Sequence, residues 1–244
     1  MIPGCEQVTL RGLGLQRRGR WLFRGLDIEV PRGKFVAIVG PSGAGKTSLL
    51  GCLAGTLAPS EGEIVFRCAQ GCHHSPPAFR KRLGIVFQNF LLIANGTLLH
   101  NVLCGRLGRY PWWRTLTGFP RTDRVEALQT LTNLGLSAHV HRRAFEVSGG
   151  EQQRAALARA LFQEPEMFLA DEPVSNLDSD LTCRVLEILR IQTREESRTV
   201  ACVLHDQELV ERFADLVITL NPNKPEEWTL HPASQHDDDV AARP

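Results

Sequence analysis

No apolar run in the 244-residue chain approaches the ~20 residues that a membrane-spanning helix requires. The N-terminus, MIPGCEQVTLRG, lacks the charged head and apolar core of a secretory signal. Any association with a membrane is therefore expected to run through a partner. An excess of either charge is also missing: the net charge is +1, which argues against a nucleic-acid field and against a cationic partner. There is no internal repeat at solenoid spacing. Nor is there a disulfide framework, because seven is an odd count and the cysteines are scattered through runs such as GCLAG and VACVLH. That usage fits reduced, buried thiols of a cytoplasmic protein. Cys68-Ala-Gln-Gly-Cys72-His73-His74 has the residue types of a zinc site. Pro76 and Pro77 follow it and no second ligand pair lies near, so it reads as a peripheral loop between strands.

What is present is ordinary globular material, 43% hydrophobic and 23% charged, enough for one large domain or two small ones. β-like runs open the chain (VTLRGLGL and LDIEV) and end at the turn Pro31-Arg32-Gly33. KFVAIVG reads as a buried strand running into glycines and the helix KTSLLGCLAG, and GEIVFRC and RLGIVFQ read as further strands. From about Thr97 to Ala144 strand signals vanish and helical stretches such as VEALQTLTNLGL take over. Alternation then resumes: the strand MFLAD, the long helix DSDLTCRVLEILRIQTREES, the strand TVACVLH, the helix QELVERFA and a final strand DLVITL. Alternating β and α units imply a mostly parallel sheet covered by helices, with a helical subdomain inserted. The end of the chain, rich in Pro and Asp, reads as a tail over 226–244 that is partly disordered.

Gly40-Pro41-Ser42-Gly43-Ala44-Gly45-Lys46-Thr47 matches G-x-x-x-x-G-K-[ST] at every fixed position, between a strand and a helix. Such a loop turns its N–H groups onto phosphates, and the helix N-terminus adds positive partial charge. Lys46 is expected to reach the β- and γ-phosphates of a nucleoside triphosphate, and Thr47 to ligate Mg²⁺. Asp171 closes the strand MFLAD and is the expected second Mg²⁺ carboxylate. Glu172 follows it and is placed to orient and deprotonate the attacking water. His205 ends the next strand, within reach of the γ-phosphate. Gln88 ends RLGIVFQ and offers a neutral amide to Mg²⁺ or to the water.

A second cradle, Ser148-Gly149-Gly150 ahead of the helical run EQQRAALARALFQ, offers another hydroxyl and another helix N-terminus to an anion. One nucleotide does not need two. In order and identity, Gly40–Thr47, Gln88, Ser148–Gly150, Asp171-Glu172, Ser175-Asn176-Leu177-Asp178 and His205 resemble the ATP-binding cassette (ABC) proteins, over roughly Val8 to Leu220. The resemblance implies a P-loop NTPase fold of the α/β class. It has an antiparallel β subdomain and a helical subdomain inserted at about 95–147, in a cassette spanning 1–225. It implies ATP with Mg²⁺, and a head-to-tail homodimer in which Ser148 and Gly150 meet the partner's γ-phosphate while the Asp178 loop lines the seam. Two departures stand out. Val147 and Glu151 replace the ends of the usual LSGGQ signature, and Glu151 is expected to point aside and serve the helix N-terminus. The usual adenine-stacking aromatic is missing near Arg17, leaving Arg17 itself or Trp21 to stack.

With no coiled-coil insertion, second cassette or fused membrane helices in the sequence, the resemblance implies a separate ATPase subunit of an importer. Asn101 to Pro120, with NVL-x-GRLGR and W-R-x-L-x-G-x-x-P, resembles the phosphonate-import ATPase subunits. This branch implies two permease subunits, a periplasmic solute-binding protein, no nucleic acid, and a place on the cytoplasmic face of the inner membrane. Trp112 and Trp113 are read as part of the permease-facing surface. Other phosphorus oxyanions or small solutes, and a regulatory ABC ATPase without a permease, remain the alternatives.

Overall fold

A computed structural model of the chain describes residues 5–68, 71, 73–111, 118–175 and 177–233. β1 (Cys5–Arg17) and β2 (Arg20–Pro31) form an antiparallel hairpin longer than the sequence runs suggest. β4 (Glu61–Cys68) pairs with β1, and the short β5 (His73–His74) pairs with β4, giving an antiparallel sheet ordered β2-β1-β4-β5. The larger sheet contains β3 (Phe35–Val39), β6 (Leu83–Val86), β7 (Met167–Asp171), β8 (Thr199–Val203), β9 (Leu216–Leu220) and β10 (Trp228–Pro232). Its order is β10-β9-β3-β8-β7-β6, parallel except for β10, which runs antiparallel to β9.

The central strands are apolar throughout because both faces of the sheet are covered. Period-two alternation splits them between two cores. Phe35, Ala37, Phe168, Ala170, Val200 and Cys202 pack on the helical side. Val36, Ile38, Met167, Leu169, Ala201 and Val203 pack with the antiparallel sheet and with α1 (Lys46–Leu53). Asp215 fixes the start of β3. It accepts the Phe35 N–H at 2.7 Å and both Arg190 Nη atoms at 2.6 and 2.8 Å, joining β3 to α6 (Ser179–Arg194).

The short α2 (Pro76–Phe79) follows β5, and between β6 and β7 lie α3 (Leu98–Leu103), α4 (Arg121–Asn133), short 3-10 turns and α5 (Gly149–Phe162). Asn101 is fully buried; it accepts the Ile93 N–H at 2.7 Å and donates to the Ile93, Gly96 and Thr97 carbonyls. The Asn of the Asn101–Pro120 stretch therefore holds the turn entering α3. Arg106 is also buried: Nε donates to the Phe162 carbonyl at 2.8 Å, and Nη1 donates to Asp123 at 3.3 Å and Glu126 at 2.6 Å. The GRLGR segment is thereby pinned between α4 and the end of α5.

The stretch 226–244 is not simply a tail. Trp228–Pro232 adds the edge strand β10, and Trp228 Nε1 donates to the Gly25 carbonyl at 3.0 Å, so DLVITL is not the final strand. A half-buried indole with a bonded N–H gives this segment an anchor that its proline and acid content concealed. Residues 234–244 lie outside the described residues.

Candidate nucleotide site

β3 ends at Val39 and α1 begins at Lys46, so Gly40–Gly45 form the intervening loop. Gly40 has φ +143, and a Cβ there would lie 2.6 Å from the Leu220 carbonyl oxygen. Gly45 is the N-cap of α1 at φ +93, with no side-chain cap and no acidic residue in the first turn. The helix N-terminus is thus left open, with N–H groups and positive partial charge facing the loop. Ala44 is buried beneath it, whereas Pro41, Ser42 and Gly43 are exposed. Lys46 is 6% exposed and donates through Nζ to the Gly40 carbonyl at 2.7 Å and the Pro41 carbonyl at 3.1 Å. An ammonium has three protons, so this bonding leaves one for a phosphate.

Asp171 ends β7, and Thr47 Oγ1 donates to its Oδ1 at 3.2 Å across the first turn of α1. Burial pushes the Asp171 carboxyl above its ordinary range, and the neighbouring Glu172 adds to this against the Thr47 bond. A carboxylate in that position gains from a nearby cation, and a hydroxyl beside a carboxylate is the hard-oxygen set that Mg²⁺ takes. Glu172 sits at φ +51, an uncommon conformation for a non-glycine residue. Its Oε1 is 2.7 Å from His205 Nε2, two residues past the end of the adjacent strand β8. Its carbonyl accepts from Ser175 N at 3.3 Å, Ser175 Oγ at 3.2 Å and Gln153 Nε2 at 3.0 Å. The fold therefore brings Lys46, Thr47, Asp171, Glu172 and His205 to the C-terminal edge of the large sheet, where open α/β sheets bind ligands.

Gln88 is placed differently. β6 stops at Val86, and Gln88 is exposed in the following turn, closed by Phe90 N to the Phe87 carbonyl at 2.9 Å. It has no hydrogen bond among the described residues. The strand ends early because the next residues turn, with Phe90 and Leu91 at φ +56 and +48.

The second cradle opens α5, with Gly149 and Gly150 inside its first turn rather than ahead of it. Ser148 is the N-cap. Its N–H and its hydroxyl donate to Glu151 Oε2 at 2.7 and 2.8 Å, and Glu151 N–H donates to Ser148 Oγ at 3.3 Å. This is a complete capping box. The Ser148 hydroxyl, then its N–H, hold the Glu151 carboxyl below its ordinary range, with His139 and Arg154 adding to the effect. Glu151 Oε1 lies 3.0 Å from His139 Nε2. No hydrogen bond or ion pair among the described residues joins Ser148–Gly150 to the Gly40–Thr47 loop.

Two positioning residues were missed in the sequence. Gln153 is 1% exposed and holds the Glu172 carbonyl. Its signal was its spacing: it precedes Ala156, Leu157 and Ala160 by three, four and seven residues, on the apolar face of α5. His139 comes from a short 3-10 turn and no local pattern marks it.

At the adenine end, the Arg24 guanidinium lies 4.7 Å above the Trp21 ring, so one indole face is already covered, and Arg17 is exposed. The Cys68–His74 stretch is not all loop: Cys68 is buried at the end of β4 opposite Cys5, and His73 and His74 form β5. Cys72 lies outside the described residues, and among those described no group of three or more His, Cys, Asp or Glu could hold a metal ion. Trp112, Trp113 and Asn176 also lie outside them. Among the described residues no helix is long and apolar enough to cross a membrane.

The ABC transporter family matches residues 23–175, and the chain belongs to that family. It is 38% identical over 205 residues to the phosphonates import ATP-binding protein PhnC of Trichormus variabilis, covering 84% of each chain. It is 36% identical over 222 residues to the hypophosphite import ATP-binding protein HtxD of Stutzerimonas stutzeri, covering 89% of this chain and 65% of that one. Among solved structures, a dimeric ATP-binding cassette in a post-hydrolysis state, bound to ADP and Pi, superposes with a TM-score of 0.81. It is 28% identical and covers 93% of this chain and 98% of that one. The fold is that of an ATP-binding cassette.

Proposed function

We propose that this chain is the ATP-hydrolysing subunit of an ABC importer for phosphonates or related phosphorus oxyanions. It works as a homodimer beneath two permease subunits served by a solute-binding protein, on the cytoplasmic face of the membrane. The names of its relatives support the substrate class. One observation carries the ATPase reading: the Glu172 carboxylate, hydrogen-bonded to His205, stands beside Asp171 and Thr47 at the open end of α1.

Lys46 and the loop N–H groups bind the phosphates, and Thr47, Asp171 and Gln88 would hold Mg²⁺, which would supply positive charge against the phosphates. Glu172 accepts the proton of the attacking water, and His205 orients Glu172. Water adds to the γ-phosphorus as the bond to ADP breaks, giving ADP and inorganic phosphate. Ser148, Gly149 and Gly150 complete the partner's site, so each ATP lies between two chains and the two sites are equivalent by symmetry. The exposed Leu91, Ile93 and Phe145, brought together by the bond from Phe145 N–H to the Ala94 carbonyl at 3.3 Å, suit a docking permease segment.

Mixing two inactive variants tests this reading. Lys46→Ala breaks its own chain's phosphate site, and Ser148→Arg fills the seam at its partner's. In the mixed dimer both defects fall on one composite site, so hydrolysis returns on mixing. Failure to complement would point to a cis arrangement. The importer assignment is tested by affinity purification from native membranes: a multi-spanning permease accompanies the chain, and its absence would favour a free-standing ATPase.

A further inference from the structure

Glu151 is the least expected residue at a surface meant for phosphate. Its Oε2 takes the only proton of the Ser148 hydroxyl and also the Ser148 N–H. A γ-phosphate oxygen carries no proton at neutral pH, so a serine that bonds to it has to donate. The same hydroxyl proton cannot serve both acceptors. For Ser148 to meet a nucleotide, its proton must leave Glu151, and a carboxylate must stay close to an incoming anion.

His139 bears on how strongly Glu151 competes. A carboxylate only accepts, so Nε2 of His139 is the donor to Glu151 Oε1. His139 Nδ1 is buried and has no partner among the described residues, which makes the Glu151 contact the ring's single polar bond. Arg154 adds charge nearby but is committed elsewhere, donating to the Gly150 carbonyl at 3.4 Å and the Leu134 carbonyl at 3.2 Å. The chain Ser148–Glu151–His139 therefore links the helix N-terminus to the turn at 137–139 in the helical region.

We infer that Glu151 is a latch on the Ser148 hydroxyl, competing with the partner's ATP for its proton, and that His139 is the positioning residue that weakens the competition by bonding the same carboxylate. The inference rests on the reading that Ser148 meets the partner's nucleotide. The capping box stabilises α5 in the separate subunit, and the same bonds oppose closure of the dimer. A glutamine at 151 would keep the box with a neutral amide oxygen on the Ser148 N–H and hydroxyl, which holds the hydroxyl proton less tightly than the carboxylate does.

The test measures the ATP concentration for half-maximal dimer formation by light scattering, in full-length protein carrying Glu172→Gln. Glu151→Gln should lower that concentration about three- to tenfold, because a hydrogen bond to a charged group no longer has to be given up. His139→Ala should raise it about threefold in the Glu151 background, yet leave it unchanged when Glu151→Gln is also present. A purely structural role would lower the melting temperature on His139→Ala and move the half-maximal concentration in neither background, overturning the inference. Ser148→Ala separates the two readings. If it weakens dimer formation while Glu151→Gln changes nothing, the latch is wrong and the trans site stands. If Ser148→Ala is itself silent, both fall.

Discussion

Two helix N-termini in this molecule, both proposed to meet phosphate, begin in opposite ways. α1 begins at a glycine in the left-handed region, with no side chain capping it and no acid in its first turn. α5 begins at Ser148, with a complete capping box and Glu151 in its first turn. An uncapped N-terminus holds its unsatisfied N–H groups ready and is stabilised by whatever anion arrives. A capped one is already satisfied, by roughly 1 kcal/mol for a good N-cap, so an incoming phosphate must displace something. The first cradle therefore suits a nucleotide bound by the separate subunit. The second suits one that arrives only with a partner. The chemistry follows the same division, since Asp171, Glu172 and His205 surround the open cradle and none lies in the capped one.

The largest effect is expected from removing the proposed base at the open cradle. Glu172→Gln should retain ATP binding and lose ~10²–10⁴-fold in turnover, the range for a positioned general base. Loss of a carboxylate facing the γ-phosphate should also lengthen the lifetime of the ATP-bound dimer. Single-turnover kinetics decide the point, and near-wild-type hydrolysis would remove Glu172 from that role. Next comes the loop itself. Gly40→Ala forces a Cβ to 2.6 Å from the Leu220 carbonyl at a φ of +143. Nucleotide affinity should drop by roughly tenfold or more, on the order of 1–3 kcal/mol of backbone strain. Equilibrium titration with a fluorescent ATP analogue measures it, and unchanged affinity would show that the loop tolerates the shift.

The frame beneath both cradles should respond in stability rather than turnover. Burial works to raise the Asp215 carboxyl, but the Arg190 bonds and the Phe35 N–H outweigh it and hold the group below its ordinary range near 3.8. A depressed folded value means that Asp215 contributes stability above about pH 4, and that this is lost as pH falls through the lower folded value. Asp215→Asn should cost about 1–3 kcal/mol at neutral pH and make the acid limb of the stability curve shallower below about pH 4. Denaturant melts across pH check both, and an unchanged acid limb would contradict the assignment. The smallest effect belongs to the edge of the antiparallel sheet. His73→Ala should change stability by no more than about 0.5 kcal/mol and leave the zinc content of the purified protein at background. Stoichiometric zinc, lost in the variant together with stability, would give the Cys68–His74 stretch a metal role.

Much of the open cradle was legible because its signals are local. A buried strand, a glycine loop, Lys46 and Thr47 follow one another without interruption, and Asp171 and Glu172 end an apolar run. The type and succession of the central strands could be read for the same reason: each is a short apolar run between helical patterns. Glu151 could be expected to turn toward the helix N-terminus, since Ser-x-x-Glu is a capping signature. What escaped depends on distance along the chain. His139 reaches Glu151 only through the fold of 134–147, and Gln153 finds the Glu172 carbonyl 19 residues away. β10 escaped because its anchor is a single tryptophan bonded to a strand 203 residues earlier.

The capped cradle is proposed to serve a nucleotide on another chain. Place Ser42→Cys in one chain and Ser148→Cys in another, both with Glu172→Gln, and add a short bifunctional thiol cross-linker with and without ATP. Protein lacking the introduced cysteines supplies the background. A link between the two different chains that appears only with ATP is expected. No link between separate chains, with internal linkage at monomer mass when both cysteines share one chain, would contradict it.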